Sequence, residues 1–190
     1  MSLDVLVETS ARHVHLTKEH VGILFGEGAS LTFKRALSQP GEFLSEQRVD
    51  VIGEKKTLSN VAVLGPERSA TQVELSLTDA RSIGVDAPVR LSGDVAGSGS
   101  CKITGPCGSI EMSEGVISAK RHIHFTPGDA EAFGVKDKQT VSVAFGGPRA
   151  MVMGEVTVRV SPNFKLAMHV DVDEANAAGL SGEVYGAVIL

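Results

Sequence analysis

Apolar residues in this chain fall into short Val/Ile-rich runs set between Gly, Pro and polar residues, not into long stripes of helical period. Such runs read as many short strands. They predict strands over 3–9, 31–37, 48–53, 57–64, 72–77, 89–91, 101–104, 115–119, 140–145, 151–160, 166–170 and 183–189. Turn chemistry separates them: Pro40-Gly41, Glu54-Lys55-Lys56 and the Gly65-Pro66 loop. Helices are few and short. Thr17 caps one that closes at Gly26 or Gly28.

The pattern repeats. Glu74 to Leu77, His124-Phe125-Thr126 and His169-Val170-Asp171 each end a strand and lead into a capped short helix, then a glycine, then a returning strand. Thr126 with Asp129, and Asp171 with Glu174, have capping-box spacing. Gly134 and Gly179 suit the left-handed residue that closes a helix. Counting back ten residues from Gly84, Gly134 and Gly179 reaches Glu74, His124 and His169. From Gly26, eleven residues reach His15, a looser fourth copy. The expected fold class is therefore mainly β with short helices (α+β), built from pseudo-symmetric strand-helix-strand repeats.

Two of those repeat positions lie in a doubled motif, Arg12-His13-Val14-His15-Leu16 and Arg121-His122-Ile123-His124-Phe125. Side chains alternate along a strand, so His13 and His15 share one face, as do His122 and His124. A lone H-x-H is commonly just a polar strand face. A second copy with the same flanks points instead to zinc or another borderline ion, which imidazole suits. Glu74 and His169 join as candidate ligands because they occupy the register of His124 and His15. Six ligands are enough for two ions with open positions, and all six are expected to meet in one cleft. Arg12 and Arg121 turn to the opposite strand face and read as structural, and His20 belongs on the outer face of the first helix. Arg68, tethered by the Gly65-Pro66 loop shortly before Glu74, suits bidentate binding of phosphate or carboxylate, although an ordinary surface arginine fits the same spacing.

Composition narrows the rest. The 190 residues suffice for a buried core, and 42% are apolar. A net charge of −5, from 18 Lys+Arg against 23 Asp+Glu, without a basic block argues against nucleic acid as a partner. No apolar run is long enough to cross a bilayer, so no membrane role is expected. The segment Met1-Ser2-Leu3-Asp4 shows no basic, apolar signal pattern, which predicts a cytoplasmic protein. Cys101 and Cys107, spaced C-x5-C, match no usual zinc or redox pattern and read as reduced structural thiols. Dinucleotide, P-loop and nucleophile-elbow motifs are missing, leaving those nucleotide-binding and hydrolase readings without support.

Taken together, Ser10-Ala11-Arg12-His13-Val14-His15-Leu16, Leu37-Ser38-Gln39-Pro40-Gly41, Gly65 to Glu74, Arg121-His122-Ile123-His124 and His169 to Ala177 resemble the PduL-type phosphotransacylases, or phosphate propanoyltransferases, nearly end to end. That resemblance implies two β-barrels in a single compact unit over 1–190, about 12–119 forming one and about 1–11 plus 120–190 the other. It implies two zinc ions per chain, one on His13, His15 and Glu74 and one on His122, His124 and His169. Arg68 would bind phosphate and, with Glu74, be catalytic. Ser10, Arg35 and Asn176 would lie near coenzyme A, which is substrate or product. Ala11 stands where the family has asparagine, which bears on the coenzyme A contact. The implied reaction interconverts a short-chain acyl-CoA (propanoyl or acetyl) and phosphate with acyl phosphate and coenzyme A. Small molecules are then the partners; homo-oligomerisation and residence in a bacterial microcompartment stay open. With His13 so near the start, no family-type targeting extension is expected. Two other readings remain: a zinc hydrolase of thioesters or phosphoesters, and a non-catalytic β-barrel binding module stapled by zinc.

Overall fold

The computed structural model describes residues 3–190; Met1 and Ser2, which enter the expectation about a signal, lie outside the described residues. In chain order the elements are β1 (Asp4–Ser10), β2 (His13–His15), α1 (Lys18–Phe25), β3 (Phe33–Ala36), β4 (Phe43–Ile52), β5 (Thr57–Gly65) and β6 (Gln72–Glu74). Then follow α2 (Leu77–Ile83), β7 (Val89–Arg90), β8 (Gly99–Thr104), β9 (Ser109–Ala119), β10 (His122–Phe125) and α3 (Pro127–Phe133). The chain ends with β11 (Thr140–Phe145), β12 (Met151–Val160), β13 (Ala167–Asp171), α4 (Val172–Ala178) and β14 (Val184–Ile189). The protein is mainly β, with four short helices among the described residues. None is long and apolar enough to cross a membrane.

Three expected boundaries are corrected. The strand expected to run to Leu77 stops at Glu74, because the Ser76 hydroxyl accepts from the Asp79 amide and starts α2 at Leu77. β4 begins five residues before the expected Arg48, and β9 begins at Ser109 instead of Gly115.

The chain divides into two compact units. One comprises the residues through Ser10, Ser38–Pro40 and Lys120–Leu190; the other comprises Ala11–Leu37 and Gly41–Ala119. In the first, β1-β13-β10-β12-β11-β14 close into a six-stranded barrel. Its core is filled by Val5 and Val7 of β1, Ile123, Phe125, Val143, Val156, Val158 and Met168. In the second, β4-β5-β2-β6-β9-β8 also close, since β8 pairs with both β9 and β4; β3 and β7 flank this ring. Val14, Leu16, Val51, Val63, Val73, Ile103 and Val116 form its core.

The two rings share one pairing scheme. β2 lies between parallel β5 and antiparallel β6, as β10 lies between parallel β12 and antiparallel β13. Parallel β9 then follows β6, as parallel β1 follows β13. Each histidine strand is thus preceded in sequence by a strand of the other unit. The repeat includes the caps: Thr17, Ser76, Thr126 and Asp171 each accept from the amide three residues on, and the latter two complete capping boxes. Gly134 and Gly179 close their helices at φ of 69° and 66°. The eleven-residue copy has its reason in α1, which is 8 residues long where the other helices have 7.

The cysteines differ from the expectation of two structural thiols. Cys101 is buried in β8, and burial pushes its pKa up to about 12, whereas Cys107 is exposed. A thiol reagent is expected to label Cys107 alone in the native chain and both after denaturation, as read by mass spectrometry. Native labelling of Cys101 at the same rate would contradict the placement.

Candidate metal centres

Every residue of β2 is buried. Val14 goes into the core, while His13 and His15 share the other side with ring centroids 4.9 Å apart. Antiparallel β6 places Glu74 opposite His13. The Nε2 atoms of His13 and His15 lie 3.5 Å and 3.9 Å from the Glu74 carboxylate oxygens. The His13 ring is fixed from behind by its Nδ1 contact to the Ala11 carbonyl at 2.8 Å. Around Glu74, Ser92 donates to Oε1 at 2.8 Å and the Gln72 side-chain amide donates to the same oxygen.

Arg68 joins this set. Its Nη1 donates to the Ser92 hydroxyl at 3.2 Å, and its Nη2 pairs with Glu42 at 2.9 Å. The Arg68 amide also donates to the Leu16 carbonyl at 2.8 Å, anchoring the loop to the chain just past His15. About a third of the Arg68 side chain is exposed, so a solute can reach it.

Charges in the first group are matched. Burial opposes ionisation of Glu74, yet His13, His15 and Ser92 hold its carboxyl well below the usual range. Burial also opposes a proton on His13, but Glu74 and the Ala11 carbonyl outweigh it and raise the pKa. Burial, with His13 and Arg68 nearby, pushes His15 down to about 2. Without an ion the group therefore favours an added proton on His13 against Glu74, which a divalent cation would displace.

β10 carries the second group. His122 and His124 face each other with Nε2 atoms 3.0 Å apart, and His122 Nδ1 lies 2.8 Å from the Lys120 carbonyl. β13 sets His169 opposite His122, with ring centroids 5.4 Å from His122 and 4.9 Å from His124. Phe164 packs edge-on against His124. Burial, then His122 and His169, pushes His124 down to about 2. Glu8 Oε2 stands 3.0 Å from His169 Nε2.

Both groups suit an ion. Within each, the three ligand atoms lie within 4.8 Å of one another. Facing His122 and His124 nitrogens can share only one proton, so at least one of them offers a lone pair there, and His124 Nδ1 is buried without a partner. An N₂O set and an N₃ set both match three-ligand zinc sites, which keep a position for solvent or substrate. The six expected ligands thus form two groups of three, each within one unit.

The remaining sequence candidates fall in both units. Ser10 ends β1 opposite Asp171, and Asn176 is exposed on α4, both in the barrel that holds β10. Arg35 is exposed on β3, in the other unit. Arg12 pairs with Asp79 and Arg121 with Glu174. His20 is half-buried and bonds the Thr71 hydroxyl at 2.6 Å. Four residues escaped the sequence reading. Gln72 was accessible, since it lies two residues before Glu74 on the same strand face; Ser92, Glu42 and Glu8 arrive from distant segments and left no local signal.

These shifts set a pH dependence for the metal-free chain. His15 and His124, held neutral, contribute stability that is complete above the unfolded value of about 6.5 and falls as pH drops below it. His13 has the opposite sign, its contribution being complete below 6.5 and lost as pH rises through its raised value. Below 6.5 the loss at His15 and His124 is joined by that at Glu74 and Glu8 as these protonate in the unfolded chain, and it is opposed by a smaller gain from Asp171 and Glu174, whose pKa values burial raises. The urea midpoint of chelator-treated protein is expected to be lower at pH 5 than at pH 6.5; an unchanged or higher midpoint contradicts this.

A family model described as phosphate propanoyltransferase matches residues 6–181. Curated relatives bear the same name. The Listeria monocytogenes protein is 47% identical over 185 residues, covering 97% of this chain and 87% of that one. The Clostridioides difficile protein is 50% identical over 175 residues, covering 92% and 84%. The Thermotoga maritima protein is 49% identical over 178 residues, covering 93% and 85%.

Proposed function

Because this chain belongs to the phosphate propanoyltransferase family, we propose that it transfers a short acyl group between coenzyme A and inorganic phosphate. A phosphate oxygen attacks the thioester carbonyl, the C–S bond breaks, and acyl phosphate and the coenzyme A thiolate result; the reverse reaction uses the same groups. The observation that carries this reading is the chain of contacts Arg68–Ser92–Glu74, which ties an anion-binding guanidinium to a three-ligand metal group.

His13, His15 and Glu74 would hold one zinc ion, and His122, His124 and His169 another. When bound, zinc is a Lewis acid for carbonyl or phosphoryl oxygen and a good partner for a thiolate. Arg68 then binds phosphate. Its contacts to Ser92 and Glu42 occupy two of five N–H donors, leaving others for a bidentate hold on the anion. Ser92 keeps the Glu74 carboxylate and the guanidinium in fixed relation. Holding both reactants supplies on the order of 7–11 kcal/mol in favourable cases, so no protein nucleophile is needed. Neither cysteine is offered as one: Cys101 is buried as a thiol, and Cys107 has no activating partner in the contacts described. Ser10, Arg35 and Asn176 are assigned to coenzyme A.

The test is coenzyme A release from acetyl-CoA and propanoyl-CoA with and without phosphate, with acyl phosphate trapped as its hydroxamate and zinc measured on the same sample. Phosphate-dependent formation of acyl phosphate is expected. Release of free acid in the presence of phosphate would make the protein a hydrolase, and no turnover by a zinc-loaded chain would leave a binding module.

A further inference from the structure

The two metal groups are built on one repeat, yet they differ at one place. Glu74 and His169 are equivalent: each pairs with the first histidine of its neighbouring strand, and each lies two residues before a helix cap. The next strand on the far side is parallel in both rings. There Glu74 faces Ile117, whereas His169 faces Glu8. One group has its carboxylate among the three ligands. The other has three histidines, with a carboxylate one strand further along the same row of the barrel.

Glu8 is held with care for a side chain on a half-exposed strand. Its Oε2 accepts from His169 Nε2 at 3.0 Å, and the Ser38 hydroxyl donates to the same oxygen. Ser38 reaches it through the short excursion Ser38–Pro40, which belongs to this unit while the chain on both sides belongs to the other. That excursion is pinned by buried Gln39, which donates to the Lys165 carbonyl at 2.9 Å and accepts from the Lys165 amide at 3.2 Å. Two elements distant in sequence thus converge on one carboxylate oxygen.

Histidines that bind metals commonly give their second ring nitrogen to a carboxylate or carbonyl, which fixes tautomer and rotation and raises basicity. His13 and His122 use the carbonyls of Ala11 and Lys120 for this. We propose that Glu8, clamped by Ser38, is the positioning residue of the second centre: its carboxylate accepts a hydrogen bond from the Nε2–H of His169, which leaves the Nδ1 lone pair to the ion, and it supplies the negative charge that three histidines lack. This rests on the zinc reading above. It predicts that Glu8 governs metal retention at His122, His124 and His169 and not at the first centre.

The experiment measures zinc per chain and zinc affinity by chelator competition, first for the intact protein. It then compares Glu8→Ala, Glu8→Gln and Ser38→Ala in a His13→Ala background, where the first centre is disabled. Cobalt substitution follows ligand geometry through its visible spectrum. Expected are about 10- to 100-fold weaker binding for Glu8→Ala, a smaller loss for Glu8→Gln, which keeps an acceptor without the charge, and an altered cobalt spectrum. Thermal melts show whether Glu8→Ala is folded, and the isosteric Glu8→Gln keeps the test decisive if it is not. Affinity and spectrum unchanged in Glu8→Gln and in folded Glu8→Ala would overturn the role of Glu8 alone. An intact protein that binds no second ion would overturn the zinc reading and this inference with it.

Discussion

Glu74→Gln is expected to lower the rate of acyl phosphate formation by roughly three orders of magnitude or more while leaving the chain folded. Glu74 is the only carboxylate among the six proposed ligands, and it is buried at 9% exposure. Glutamine fills the same volume and keeps an oxygen for the Ser92 and Gln72 donors, but it removes the charge that matches a divalent ion. The first centre would drop to two imidazoles and a weak amide. Zinc content is expected to fall from two ions towards one, tying the activity loss to the metal. His124→Ala should have a comparable effect through the second centre. A Glu74→Gln protein with full zinc and most of its activity would remove Glu74 from the machinery.

Much of the fold could be read because the sequence repeats itself locally. Histidine alternation placed His13 with His15 and His122 with His124. The ten-residue spacing to a closing glycine found Glu74 and His169, since strand end, cap and helix length are fixed by neighbouring residues. Errors occurred where a polar residue served a backbone purpose. Ser76 is a helix cap inside what reads as strand alternation. Residues 109–114 alternate Ile110 and Met112 with polar side chains, but the Gly/Pro-rich approach masks the start of β9. The six candidate ligands fall into two groups of three because pairing is set ring by ring: β2 with β6, and β10 with β13. Ser92 and Glu42 bear on Arg68 only through tertiary placement. Nothing in the spacing of a loop serine signals that it will bridge a guanidinium and a carboxylate.

Arg68→Ala should lower kcat/KM by about 10²–10³, the typical cost of removing one preorganised donor from developing charge. It should do so without loss of zinc, because Arg68 is not one of the ligands and its hydrogen bond towards the metal group goes to Ser92. Stability should change little, since the Arg68–Glu42 pair is partly exposed and such pairs contribute about 0–1 kcal/mol. The decisive contrast lies between substrates. If Arg68 holds phosphate, the KM for phosphate rises while that for acyl-CoA stays near its original value. Arg68→Lys keeps the charge but not the planar two-donor fork, so partial recovery of rate with a persistently raised phosphate KM is expected. Zinc separates Arg68→Ala from Glu74→Gln: both are expected to lose most of their activity, but only Glu74→Gln should lose an ion. An Arg68→Ala protein that retains most of its activity, or in which the acyl-CoA KM rises instead, would assign phosphate to other donors.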